Sequence, residues 1–323
     1  MLTGKKLKYF LQILGPLIFI YILFQINYSL LFEEIKLLKW YFLILAAFFV
    51  SIQIITRAQK WRIILLKFNI NLSRFNSINL YWLGTFIGVI TPGKFGELIK
   101  VYFLKNKGYN SLRSFLSVFF DRLSDVFILL LLGFLIFIFF LREIGVYILV
   151  ISTILLVFLI LFILIINKKS FLHKIFFKIL KKFSSINFEE YDNFSFTNFW
   201  QSFKKTKKSF FFSFLFYLLV SWFFYFIARY FIALSIGLPL SFLEVSVISI
   251  LTAVVTMLPI SVAGLGTREV AVIYLFSLFN LNKEIALLFS LLIFTIDIIV
   301  VSFGLIPYLK ESFLIKNIKK QID

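Results

Sequence analysis

No cysteine occurs among the 323 residues of the chain, which excludes disulfides, thiolate metal sites and thiol nucleophiles. One histidine, His173, stands alone in a basic stretch, so no imidazole cluster is available to hold a metal or pass protons. Acidic residues number 15 against 34 lysines and arginines, and prolines only five. Each carboxylate and each proline inside an apolar run therefore marks a place where the local chemistry differs. Long polar stretches are also missing. Apart from one loop, no segment has the composition of a water-soluble domain.

What remains is apolar: 61% of the residues are hydrophobic, in several runs near the roughly 20 residues that cross a ~30 Å hydrocarbon layer. The fold class is an all-α polytopic membrane protein, expected as one integral-membrane domain over 1–323. Met1 to Ile26 has a basic flank (Lys5, Lys6, Lys8) and an apolar core without a small-residue cleavage site, and reads as an uncleaved first helix. A net charge of +19 is no sign of nucleic acid, because the lysines and arginines gather at the ends of apolar runs and in the loop 167–208. Within that loop Phe171 to Phe183 reads as an amphipathic helix lying on anionic headgroups, or simply as a topology anchor.

Full crossings are expected near 9–26, 39–57, 115–141, 146–166, 209–235 and 284–308. Residues 78–104 and 242–281 differ, since each is split by a proline and glycine cluster, Thr91-Pro92-Gly93 and Pro259 to Gly266. Broken helices at membrane depth are tolerated only where protein or water covers the freed backbone. If 78–104 crossed completely, Lys105, Lys107, Arg113 and the basic loop would all lie outside, against the positive-inside rule. Re-entrant pairs avoid this and place both termini and the basic loop in the cytoplasm, in the plasma membrane.

A shift of 172 positions lays Arg57 on Arg229, Glu97 on Glu269, Tyr102 on Tyr274 and Asp125 on Asp297. The topology gives the two copies, about 38–141 and 210–308, opposite orientations, as in the inverted repeats of secondary transporters. In the first copy, Thr91 can cap, and Pro92 suits the first turn of, a half-helix whose free N–H groups attract anions, with Lys94 nearby and Glu97 three residues from Lys100. In the second, Gly264 and Gly266 allow close approach ahead of Arg268 and Glu269. Arg57, Lys94, Glu97, Arg229, Arg268 and Glu269 are thus the candidate substrate-binding residues. Asp121, Arg122, Asp125 and Asp297 form a second set, read either as a proton or cation relay or as a static ion-pair network.

Three stretches, TPGKFGELIK (Thr91 to Lys100), SVFFDRLSD (Ser117 to Asp125) and LPISVAGLGTRE (Leu258 to Glu269), resemble the integral-membrane domain of lysylphosphatidylglycerol synthase-type proteins, the flippase-like family. The resemblance covers nearly the whole chain and has no counterpart for the aminoacyl-transferring domain. It implies movement of a lipid between leaflets, by a protein that is not an enzyme and has no cofactor or metal. The expected partners are membrane lipids, an anionic phospholipid or a polyprenyl phosphate, with a separate lipid-modifying enzyme as a further partner and no nucleic acid. Two other readings stay open: a polyprenyl-phosphate-dependent transferase using Asp121 and Asp125, and a structural partner of an envelope-lipid enzyme.

Overall fold

The computed structural model describes residues 4–140, 208–257, 261, 264–307 and 309, and all regular structure among them is helical. In chain order the helices are α1 (Gly4–Gln25), α2 (Tyr28–Lys36), α3 (Trp40–Lys67), α4 (Arg74–Val89), α5 (Ile99–Asn106), α6 (Ser111–Phe140), α7 (Lys208–Ile236), α8 (Phe242–Met257), α9 (Thr267–Ser277) and α10 (Lys283–Ser302). Three helical stretches, Trp40–Lys67, Lys208–Ile236 and Lys283–Pro307, are long and apolar enough to cross a membrane. A fourth crossing is added if α1 and α2, bent by 90° at their joint, count as one broken span. The chain is a polytopic helical membrane protein. The expected span at 146–166, the basic loop and the amphipathic stretch 171–183 lie outside the described residues.

Local chemistry sets the helix boundaries. Asn27 caps α2, its Oδ1 accepting from the Ser29 backbone at 3.2 Å, and Ser241 and Glu244 cap α8 reciprocally. Two helix ends correspond at the spacing seen in the sequence. Left-handed residues follow α5 at Gly108 and α9 at Asn280 (φ 85° and 55°), and Asn110 and Asn282 then precede α6 and α10. The breaks expected from proline and glycine fall between α4 and α5 and between α8 and α9.

One compact unit takes in Met1–Arg62, Leu72–Lys100 and Phe216–Asp323. Its helices α3 and α7 run antiparallel. The Lys39 amide donates to the Ser235 carbonyl at 2.9 Å, the Phe42 ring lies 5.9 Å from Phe231, Phe49 lies 5.9 Å from Phe224, and the Arg57 guanidinium stands 5.4 Å over the Trp222 ring. Helix α10 packs on α4, where the Trp82 indole donates to the Val300 carbonyl at 2.9 Å, and on α2 through Leu31 and Leu288. Many large apolar side chains on these helices are exposed, among them Phe24, Ile44, Phe48, Phe212, Phe216 and Phe223. Hydrocarbon is the surrounding that accepts such a surface.

A second unit takes in Ile63–Asn71 and Val101–Leu215. There the end of α3 meets α6 through Phe68 and Phe120, with ring centroids 6.1 Å apart, and the Tyr109 hydroxyl donates to the Asn71 carbonyl at 2.6 Å.

Candidate functional site

At the first break, residues 92–98 form a tight 3-10 turn folded back on α4 rather than the opening of a regular half-helix. Gly93 and Lys94 both take left-handed backbone (φ 61° and 57°), which interrupts the run of N–H groups that the sequence leads one to expect at an anion-binding terminus. Thr91 does not make the expected side-chain cap to the first turn; its hydroxyl reaches further along the chain instead. Its hydroxyl donates to the Ile87 carbonyl at 2.9 Å and accepts from the Gly96 amide at 2.7 Å, clasping the turn. The fold-back depends on missing side chains. A Cβ at Gly96 would meet the Ile87 carbonyl group, one at Gly88 would stand 2.7 Å from Glu97 Cγ, and one at Gly84 would stand 2.8 Å from Lys100 Cγ.

Into that groove fit Glu97 and Lys100, paired at 3.0 Å and both buried, as their three-residue spacing predicts. The Lys100 ammonium also lies 4.3 Å from the Tyr81 ring centroid and 5.0 Å from that of Trp61. A charge removed from water needs such a set, because an uncompensated ion in a low-dielectric interior is strongly unfavourable. Lys94, by contrast, is exposed.

The second break is built differently around the same carboxylate. Gly264 and Gly266 are left-handed (φ 77° and 83°), and the Gly266 amide donates to Glu269 Oε2 at 2.6 Å, closing the start of α9. The other oxygen, Oε1, accepts from Arg268 Nη2 at 2.5 Å and from the Ser290 hydroxyl at 2.9 Å, while Arg268 Nε donates to Ser290 at 2.8 Å. Both charges are buried, with Arg268 over the Phe294 ring at 5.0 Å. Helix α1 closes over this loop so tightly that a Cβ at Gly266 would overlap the Gly15 carbonyl.

Between the breaks in sequence, Arg229 makes a bidentate pair with Asp297, at 3.0 and 2.8 Å. The arginine is buried, whereas the Asp297 side chain keeps 29% of its surface open. Contacts run on from Arg229 along the α3–α7 seam. Its guanidinium stands 4.7 Å over Tyr225, the Tyr225 ring is 5.2 Å from Trp222, and Arg57 covers Trp222. The two arginines matched in the sequence are thus joined by two aromatic rings in one unit.

In the other unit, Asp121 and Asp125 are buried on α6, with Arg122 at 3.7 Å from the first and 3.9 Å from the second. The two carboxylates share one face, as their four-residue spacing predicts, and a cation lies against both.

Sequence reasoning located the breaks, the Glu97–Lys100 pair and the charged positions, but not their partners. Ser290, Trp222 and Tyr225 carry no signal inside an apolar run, since a hydroxyl or an aromatic ring there is ordinary. Lys60 is a different case. Its place next to Arg57 and Arg62 reads as an exposed basic cluster, yet it is fully buried, and Arg62 is held by the Leu72 carbonyl at 2.9 Å.

The lysylphosphatidylglycerol synthase TM region family matches residues 12–304. The chain is also similar to the UPF0104 membrane protein PH1989 of Pyrococcus horikoshii, 27% identical over 306 residues that cover 88% of this chain and 91% of that protein. No solved structure matches.

Proposed function

The chain belongs to the lysylphosphatidylglycerol synthase TM region family, and we propose that it moves a lipid with an anionic or phosphate-linked headgroup between leaflets without altering it. The observation that carries this reading is the antiparallel α3–α7 seam. Its contact register sets Arg57 opposite the stretch around Leu218, about three turns of α7 from Arg229, or roughly 16 Å along the axis. Within a ~30 Å hydrocarbon layer that spacing supports one arginine on each side of the midplane. An antiparallel seam is also what inverted halves require, with the breaks at 92–98 and 258–266 as their matching re-entrant turns. Positive-inside bias supports cytoplasmic termini, and residence in the plasma membrane is part of the same proposal.

In this mechanism Arg57 and Arg229 receive the headgroup at successive levels, and the buried Glu97–Lys100 and Arg268–Glu269 pairs hold the two turns between which it passes. Lys94, exposed at the first turn, meets the headgroup at entry. The acidic groups Asp121 and Asp125 with Arg122, and Asp297 with Arg229, couple proton or cation movement to the step.

The test is leaflet exchange of fluorescent phosphatidylglycerol in liposomes holding only the purified chain. Faster exchange than in empty liposomes is expected, abolished by Arg229→Ala and by Glu269→Gln with folded protein retained, and unchanged by Lys36→Ala on the exposed face of α2. No exchange until a lipid-modifying enzyme is added would favour a structural partner. A new lipid product from a labelled polyprenyl-phosphate donor would favour a transferase.

A further inference from the structure

Four buried N–H groups on α3 and α7 have no acceptor among the described residues: Arg57 Nε and Trp61 Nε1 on the first helix, Trp222 Nε1 and Arg229 Nε on the second. Buried donors without partners are rare in folded proteins. Arg57 and Trp61 stand four residues apart and Trp222 and Arg229 seven, so each pair lies along one face of its helix. No acceptor is left over among them. The seam is one-sided in its hydrogen bonding, and what satisfies it must bring acceptors only.

Arg57 and Trp222 are the pair in contact, the guanidinium 5.4 Å over the ring centroid. An indole N–H leaves in the plane of its ring, whereas the guanidinium lies over the face, so the two donors diverge and one oxygen atom does not serve both. A phosphodiester does, because its two non-bridging oxygens accept in different directions and carry the negative charge the guanidinium lacks: Arg57 has no ion-pair partner among the described residues. An ammonium brings only donors, and a polyol brings a donor with every oxygen and no charge. We infer that Arg57 and Trp222 form a binding site for a phosphate-ester oxyanion, with the Trp222 indole as the second donor. Trp222 faces α3, between the levels of Arg57 and Arg229. The assignment of that oxyanion to a lipid rests on the transport reading, but the site is measured by binding alone.

The five tryptophans of the full-length chain, 15N-labelled on the indole and observed by NMR in detergent micelles, provide the readout, with the Trp222 signal assigned by its loss in Trp222→Phe. Dihexanoylphosphatidylglycerol is expected to move that signal downfield and saturably, and dihexanoylglycerol, which lacks the phosphate, is not. Inorganic phosphate separates the sources. If it moves the signal too, the ligand is a free oxyanion, and if it does not, the phosphate of a lipid. Trp222→Phe keeps an aromatic ring beneath Arg57 and removes the N–H together with part of the indole, so phosphatidylglycerol binding followed by 31P NMR is expected to weaken about five- to tenfold. Undiminished binding in Trp222→Phe, or an equal shift with dihexanoylglycerol, overturns the site. Should that variant not fold, the signal is assigned by elimination from the other four tryptophans, and its response in the unsubstituted chain decides. Transport with no response at Trp222 refutes this site and spares the transport reading, while binding without transport does the reverse.

Discussion

Arg229 and Asp297 differ in how they meet their surroundings, and the difference separates a structural ion pair from a working one. The arginine is buried and the carboxylate partly open, so losing the carboxylate strands a buried cation, whereas losing the arginine leaves a carboxylate that solvent can reach. Asp297→Ala is therefore expected to lower the stability of the purified protein by about 3 to 5 kcal/mol, and Arg229→Met by less. Replacing both, Arg229→Met with Asp297→Leu, is expected to restore most of the thermal midpoint, because a packed apolar pair of similar volume avoids desolvating two charges. Lipid exchange is expected to stay lost. Recovery of exchange together with stability would show the pair to be only a brace. The sequence marked both residues as charges needing a polar interior and left open a brace formed with cations of the half-helices. What it could not show is that they choose each other, since pairing across 68 residues depends on how α7 and α10 pack.

The helices and their interruptions were legible because proline, glycine and capping residues act locally. Thr91-Pro92-Gly93 and the cluster ending at Gly266 mark the breaks, and the apolar runs near 115–141 and 284–308 mark α6 and α10. The shape of the first break was not legible. A proline after threonine ordinarily opens a helix, and only the fold-back on α4, clasped by Thr91 and Gly96, forces Lys94 into left-handed backbone. That fold-back yields a paired prediction. Gly96→Ala pushes a methyl into the Ile87 carbonyl and is expected to open the turn and abolish exchange. Gly108→Ala meets nothing within 4 Å but keeps a left-handed φ of 85°, so it is expected to cost about 1 kcal/mol and leave exchange intact, as thermal unfolding and the liposome assay will report. Equal effects from the two would mean that backbone strain, not the fold-back, is what alanine disturbs.

For the whole molecule, the inverted relation proposed between the halves would convert each α3–α7 contact into a second one. The contact of Phe49 with Phe224 implies its mate, Ile52 with Ser221. Since the chain has no cysteine of its own, Ile52→Cys with Ser221→Cys is expected to cross-link with a short membrane-permeable reagent, and Ile52→Cys with Phe223→Cys, on the exposed side of α7, is not. The opposite result would remove the inverted relation. The joint between α1 and α2 bears on a different matter, the order in which the chain is made. Lys283 binds the Gln25 carbonyl and Glu284 the Asn27 amide, across 258 and 257 residues, and Gly266 locks against Gly15 further back along α1. At about 5 to 20 residues per second, α1 leaves the ribosome on the order of 12 to 50 s before those partners exist. It waits in the bilayer unclasped, so a helix made well before its partners is among the last to be seated, and a chain stopped before α9 leaves α1 open to whatever insertion or quality-control factors sample unfinished membrane proteins.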